Sequence, residues 1–503
     1  MMTMPDASPL TELAAGRPAL VWRRQIADTE TPVAAALKLI EPGRGDFLLE
    51  SVEGGAIRGR HSLIGLAPDL VFRAQDNAAE INPHWLSDRD AFTPCDAPTL
   101  DALRQLVASC RMAVPPELPR ALACLVGYFG YETVGLVEKL PQQDQDPLGL
   151  PDMIFVRPTI VLIFDRLADA LFLVAPVWPD ASRSPAEIIA EAEERIDTVA
   201  ARLASGGLPP PARLEALPEV ALAPVLAPGR YGEMVARAKD YIVAGDIFQV
   251  VLAQRFTVPF PLPPIELYRA LRRINPSPFL YHLDLPGFTL TGSSPEILVR
   301  VRDGEVTIRP IAGTRPRGRS ASEDEANRTS LLADPKERAE HLMLLDLGRN
   351  DVGRVADRGT VQVTDSYTVE FYSHVMHIVS NVVGRLGEEH DAIDALLAGF
   401  PAGTVSGAPK VRACGVIAEL ESEKRGAYAG GVGYFSPDGS MDSCIVLRTA
   451  VVKDGVMHVQ AGAGIVADSD PASEQRECEA KAGALLAAAR EAIARAGDSG
   501  FGQ

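Results

Sequence analysis

The sequence is short of positive charge and of cysteine, and it contains no long apolar run. Lysine and arginine number 49 against 67 aspartate and glutamate, a formal net charge of −18 over 503 residues. That balance argues against nucleic acid or an anionic membrane as partner, since both need a basic face. An acidic chain that handles an anionic ligand must build a positive site locally, from arginine, backbone N–H groups or a metal ion. The six cysteines, at 95, 110, 124, 414, 444 and 478, include no C-x-x-C pair. Zinc and dithiol redox motifs are thereby excluded, and free buried thiols in a reducing cytoplasm are expected. No stretch of about 18 uninterrupted apolar residues offers a membrane span. The first twenty residues lack a basic segment followed by an apolar core, so no secretory signal is expected. The glycine runs AGGVG and AGAG do not match G-x-G-x-x-G between a strand and a helix, so no dinucleotide fold is expected.

What is present is an ample core. Hydrophobic residues make up 47% and charged residues 23%, the profile of a globular protein. Six prolines between 205 and 229 predict a connection rather than a packed element. The expected organisation is an N-terminal α+β domain at 20–204, a proline-rich linker at 205–228 and a larger domain at 229–497. Helices are predicted at 31–40, 184–204 and 231–245, and strands at 46–52 and 153–165. Asp303-Gly304, Asp438-Gly439 and Asp454-Gly455 each join two β-rich runs, a hairpin signature that implies antiparallel pairing. Hairpins interleaved with helices predict an α+β fold, layered rather than βαβ.

Two predicted helices carry paired acids. In DPKERAEHLMLLDLG, Asp334 suits the N-cap and Pro335 the first turn, and Glu337 and Glu340 share a face. In SDPASEQRECEAK, Glu474, Glu477 and Lys481 share another. Each face is either solvated, with acids near a positive helix end, or half of a cleft that holds a hard cation by its oxygens. Gly462 and Gly464 precede the second acidic helix and suit close backbone approach by a ligand, or crowded strand packing. Tyr428 and Arg448 lie on nearby strands, and an arginine fork matches a carboxylate. His374 and His377 point to opposite faces of one strand, so at most one of them serves a site. PIAGTRPRG, residues 310–318, predicts a loop broken by two prolines and two glycines.

The ordered set GDIFQVV, NPSP, PIAGTRPRG, EHLMLLDLGRND, HVMHIVS, FPAGTVSGAPK, YAGGVGYF and QAGAGIVADS resembles the chorismate-utilising enzymes, most of all the anthranilate synthase component I branch. The resemblance runs continuously from Tyr231 to Leu486. It extends more thinly to LLES, GRHSLIG and LVGYFGYE in the N-terminal part. It implies a layered αββα fold of two largely antiparallel sheets with helices outside. It also implies Mg²⁺-dependent chemistry on chorismate, a ring with two carboxylates and an enolpyruvyl ether. By motif match, Glu340 and Glu477 would hold Mg²⁺ against the ring carboxylate. Tyr428, Arg448, the Gly462–Ala463–Gly464 backbone and Lys481 would take the other carboxylate. Gly313 and Thr314 would line the pocket, with Thr404 beside them.

Two positions separate the branches of this family. Isochorismate and salicylate synthases carry a water-activating lysine where this chain has Gln249, and an amide cannot act as a general base. Aminodeoxychorismate synthases commonly carry a nucleophilic lysine where this chain has Ala312. Free ammonia is left as the attacking group, adding at ring C2 as the C4 hydroxyl departs with help from an acid, for which Glu337 is the candidate by position. Pyruvate elimination and aromatisation follow, the stage the resemblance associates with His377. No G-x-C-x-G elbow is present, so a separate glutamine amidotransferase subunit is expected, in a heterodimer or heterotetramer. Glu50 and Ser51, with Asn275, Pro276, Pro278, Phe279 and Leu280, match the family's feedback pocket for L-tryptophan. Phe279 and Leu280 stand where Tyr and Met are common. The competing readings are aminodeoxychorismate-type amination, a phenazine-type enzyme that stops before aromatisation, and a catalytically dead tryptophan sensor.

Overall fold

The computed structural model describes residues 8–53, 57–141, 143, 145–372 and 375–497. Helix Pro32–Leu39 starts where the Thr31 hydroxyl accepts the Ala34 N–H, and helix Pro185–Ser205 starts at a Ser184/Glu187 capping box. The first packs on strand Ile57–Gln75 and the second on Ala170–Val177, and the sheet beneath them runs Ile57–Gln75, Met153–Asp165 and Ala170–Val177. The last two read as nearly unbroken apolar runs because both their faces are covered. Alternate residues of Met153–Asp165 serve different cores. Ile160, Leu162 and Phe164 pack with Ala36, Leu39 and Ile196 from the helices, whereas Val161 and Ile163 face the main core.

All pairings between the named strands are antiparallel, and hydrogen bonding links the strands into one network. The network doubles back into two facing layers. Tyr128 on strand Leu125–Phe129 meets Phe288 on strand Phe288–Ser294 edge-on at 5.7 Å, although these strands share no pairing. Helices cover the outer faces, giving the expected layered α+β arrangement. The three Asp-Gly hairpins form as predicted. At Asp303-Gly304 and Asp454-Gly455 both turn residues have positive φ, the mirror-image turn that matches strand twist.

The halves of the chain are stitched together by strands. Phe47–Glu53 pairs with Phe279–Leu285, Leu280 opposite Glu50, and Leu125–Phe129 pairs with Gly431–Phe435. The proline-rich stretch is irregular, as expected, but it is packed rather than free. Leu214 and Val220 lie against the core, and the Leu214 N–H donates to Ala496 O on the C-terminal helix Pro471–Gly497.

PIAGTRPRG is not a loop along its length. Ile311–Pro316 is a strand paired with Val375–Arg385, with a register shift between Ala312 and Thr314. Gly313 is the extra residue, at φ +74°. Its lack of a Cβ turns what reads as a chain break into a β-bulge, and the prolines fall at the strand's ends. No helix among the described residues is long and apolar enough to cross a membrane.

Candidate active site

The first acidic helix, Pro335–Gly353, packs on strands Ile311–Pro316 and Val375–Arg385, and the second, Pro471–Gly497, packs on strand Val456–Ile465. Asp334 caps the first by accepting the Lys336 and Glu337 N–H groups. The helix starts approach each other, since Lys336 Nζ pairs with Asp468 Oδ2 at 3.0 Å just before the second helix. Burial, and then the neighbouring Glu337 charge, pushes the Glu340 carboxyl above the usual carboxylate range. Lys336 and a Gln249 hydrogen bond oppose that rise, and Glu477 adds to it. Glu474 is raised by burial, opposed by a Ser469 hydrogen bond and reinforced by Glu477.

Glu340, Glu474 and Glu477 thus act on one another's charge, with Lys336 and Lys481 as the cations beside them. Glu477 meets Lys481 at 2.8 Å, and that ammonium also donates to Gly462 O at 2.8 Å. Among the described residues no group of three or more His, Cys, Asp or Glu forms a closed cation site. A pair of carboxylates suits Mg²⁺, which commonly takes one or two protein carboxylates and completes six positions with water and substrate. Glu340 and Glu477 would hold it.

Strand Gln249–Pro259 lies beside Val456–Ile465, with Val251 opposite Gly464 and Ala253 opposite Gly462. A Cβ at Gly462 would sit 2.8 Å from the Tyr428 hydroxyl, and one at Gly464 would sit 2.5 Å from Gln249 Nε2. The glycines therefore clear space for two candidate site side chains. Ala463 points its methyl into the core and offers only backbone to a ligand.

On the opposite wall, His377 Nδ1 lies 3.1 Å from both Gly313 O and Thr314 Oγ1. A carbonyl only accepts, so Nδ1 carries the proton and Nε2 keeps its lone pair. Burial lowers the His377 pKa to about 4, so the ring is neutral at pH 7. His374 lies outside the described residues. Arg448 sits at φ +49°, makes no ion pair among the described residues, and is disfavoured as a cation by burial, with Tyr372 and Glu296 opposing. An unpaired, desolvated guanidinium is a receptor for a carboxylate.

Glu337 is engaged. Its carboxylate pairs with Arg315 at 2.9 Å and accepts the Thr314 N–H at 3.3 Å. Arg315 also binds Asp334, while Arg317 binds Asp324 and Tyr372 O. The two arginines of PIAGTRPRG thus brace the bulged strand through local acids. Sequence reasoning missed Glu296. Thr404 donates to Glu296 Oε1 at 3.1 Å, and burial pushes the carboxyl up to about 8 despite Thr404 and Arg448. The signal was a single acid at the start of a buried apolar strand, SSPEILV.

Residues 47–487 match a family model described as chorismate binding enzyme. The chain belongs to the chorismate-binding enzyme family. It is 51% identical to anthranilate synthase component 1 of Cereibacter sphaeroides, over 95% of this chain and 96% of that one. It is 47% identical to the component 1 of Thermus thermophilus, over 93% and 97%. The structure of anthranilate synthase component I from Streptococcus pneumoniae superposes with a TM-score of 0.73 at 36% identity, covering 92% of this chain and 99% of that one.

A large cavity of about 1280 Å³ lies elsewhere in this chorismate-binding chain. Glu50, Ser51, Pro278, Phe279 and Leu280 line it, so five of the seven residues expected to bind tryptophan meet there. Asn275 and Pro276 precede them on the turn that leaves helix Pro264–Ile274 and are not in its wall. Glu50 is buried, which would raise its pKa, but Arg272, Tyr268 and Arg166 hold it below the usual range. Its Oε1 lies 2.7 Å from Arg166 and its Oε2 2.7 Å from the Tyr268 hydroxyl.

Proposed function

We propose that this chain is the large component of an anthranilate synthase, turning chorismate and ammonia into anthranilate, pyruvate and water. The observation that carries this reading is what the pocket lacks beside what it contains. It has facing carboxylates, a neutral histidine and a buried carboxylic acid. Where a nucleophile or water base would stand it has the Ala312 methyl and the Gln249 amide. Neither attacks a ring nor activates water, so amination by free ammonia remains.

Bound Mg²⁺ would neutralise the ring carboxylate beside Glu340 and Glu477 and withdraw electron density from the ring. Arg448, Tyr428 and the Gly462–Gly464 backbone hold the enolpyruvyl carboxylate, with Lys481 at the rim. In the first stage ammonia forms a bond to C2 and the C4 hydroxyl leaves as water. Glu296 supplies the proton, since it is protonated at neutral pH and free of any cation pair. Glu337, held by Arg315, serves by fixing Gly313 and Thr314. In the second stage His377 Nε2 accepts the C2 proton while the enolpyruvyl C–O bond breaks, releasing pyruvate and an aromatic ring.

Ammonia comes from a separate glutamine amidotransferase subunit, because the chain has no such nucleophile elbow. The six free thiols suit a reducing cytoplasm. L-Tryptophan occupies the large cavity as feedback inhibitor, with the Glu50 carboxylate in the wall to receive its ammonium and Phe279 and Leu280 as an apolar wall. The purified chain given chorismate, Mg²⁺ and ammonium salt at alkaline pH should produce anthranilate fluorescence, while glutamine in place of ammonium should yield almost none. Efficient use of glutamine, or a non-aromatic aminated product by mass, would refute the assignment.

A further inference from the structure

The large cavity and the catalytic pocket stand back to back. Pro295 and Ile297 line the cavity, while Glu296 between them reaches Thr404 on the other side. Tyr372 also lines the cavity, and its ring meets His377 edge-on, with centroids 5.3 Å apart and 68° between planes. Its hydroxyl donates to Glu370 Oε2 at 3.0 Å, and Glu370 pairs with Arg309, both in the cavity wall. Its backbone is clamped from two sides, the N–H by Val375 O and the carbonyl by Arg317, each at 2.8 Å. The partition between the two spaces is therefore one aromatic ring thick at His377. A close-packed wall does not yield by small continuous amounts, so a ligand that shifts this ring must shift what it touches.

We propose that Tyr372 is a positioning residue whose ring orients His377 and transmits occupancy of the cavity to the catalytic pocket. The inference rests on the reading of the cavity as a tryptophan site. Lying between two sites is not itself coupling, so the test must measure coupling.

The variants are Tyr372→Leu, which removes the ring, and Tyr372→Phe, which keeps it. Each is assayed with chorismate, Mg²⁺ and ammonium, and tryptophan binding is measured separately by calorimetry. The Leu variant is expected to lose about tenfold or more in kcat, as misplacement of a reacting group does. Its KM for chorismate should stay within about twofold, because ground-state binding is untouched. Tryptophan should still bind it, which also reports an intact fold, yet no longer inhibit the remaining activity. The Phe variant should recover both kcat and inhibition. A Leu variant that keeps the parental kcat, or that tryptophan still inhibits as it does the parent, overturns the proposal. Tryptophan that neither binds nor inhibits the parent sinks the reading of the cavity instead, and the transmission with it.

Discussion

At the residue scale the account turns on two proton-handling groups with opposite assignments. Glu296 is protonated at neutral pH because burial outweighs its hydrogen bond from Thr404, and its pKa is about 8. Glu296→Gln should lower kcat by roughly a hundredfold or more, the scale of a general acid, with little change in KM. In the parent the rate should fall as pH rises through about 8, where the acid form is lost, and that limb should vanish in the variant. The sign for stability is the same. A carboxyl whose folded pKa is raised binds a proton that the unfolded chain has released above about 4.5, so its contribution is lost as pH rises to about 8. Thermal melts of the Gln variant should therefore lose less stability across that window than the parent. His377, at about 4, should impose no limb near neutrality. Glu340, Glu477, Gln249 and His377 were legible in the sequence because each sits in a motif. Glu296 was not, since its meaning comes from burial and from Thr404, which is 108 positions away.

Among the elements, the bulged strand Ile311–Pro316 shows how much local chemistry the sequence carries and where it misleads. Pro310, Gly313, Pro316 and Gly318 look like a broken loop, and their spacing conceals a strand whose partner lies more than sixty residues on. Periodicity could not reveal that pairing, because register is set by a distant segment. The capped helices, by contrast, were legible in nearly every respect, since Thr31, Ser184 and Asp334 act within three residues of themselves. Gly313→Ala should cost about 1–2 kcal/mol from its left-handed backbone alone. The added methyl would also meet Glu337 Oε2 at 3.1 Å and Ile378 Cδ1 at 3.2 Å. Denaturant titration should show the loss, and activity should fall further than stability because Thr314 and His377 share the bulge. A variant as stable and active as the parent would mean that the bulge is not what shapes this wall.

For the whole molecule, composition gave the class and hairpins gave the antiparallel layering, but the joining of the halves was invisible. Leu280 opposite Glu50 and Tyr128 opposite Val432 are contacts that no window of sequence contains. They set the residues of the large cavity on the two halves of the chain side by side, back to back with the candidate catalytic pocket. The acidic surface of the chain makes the local site more telling. With a net charge of −18, a chain acting as proposed receives a dianionic ring through Arg448, backbone N–H groups and a divalent ion that Glu340 and Glu477 would hold. Calorimetric titration of chorismate into the purified chain, with and without Mg²⁺, tests that claim most directly when repeated on Glu340→Gln and Glu477→Gln. The parent should bind chorismate tightly only with Mg²⁺, and each variant should lose most of that gain. Equal binding by the parent with the metal chelated, or an undiminished gain in both variants, would contradict the account.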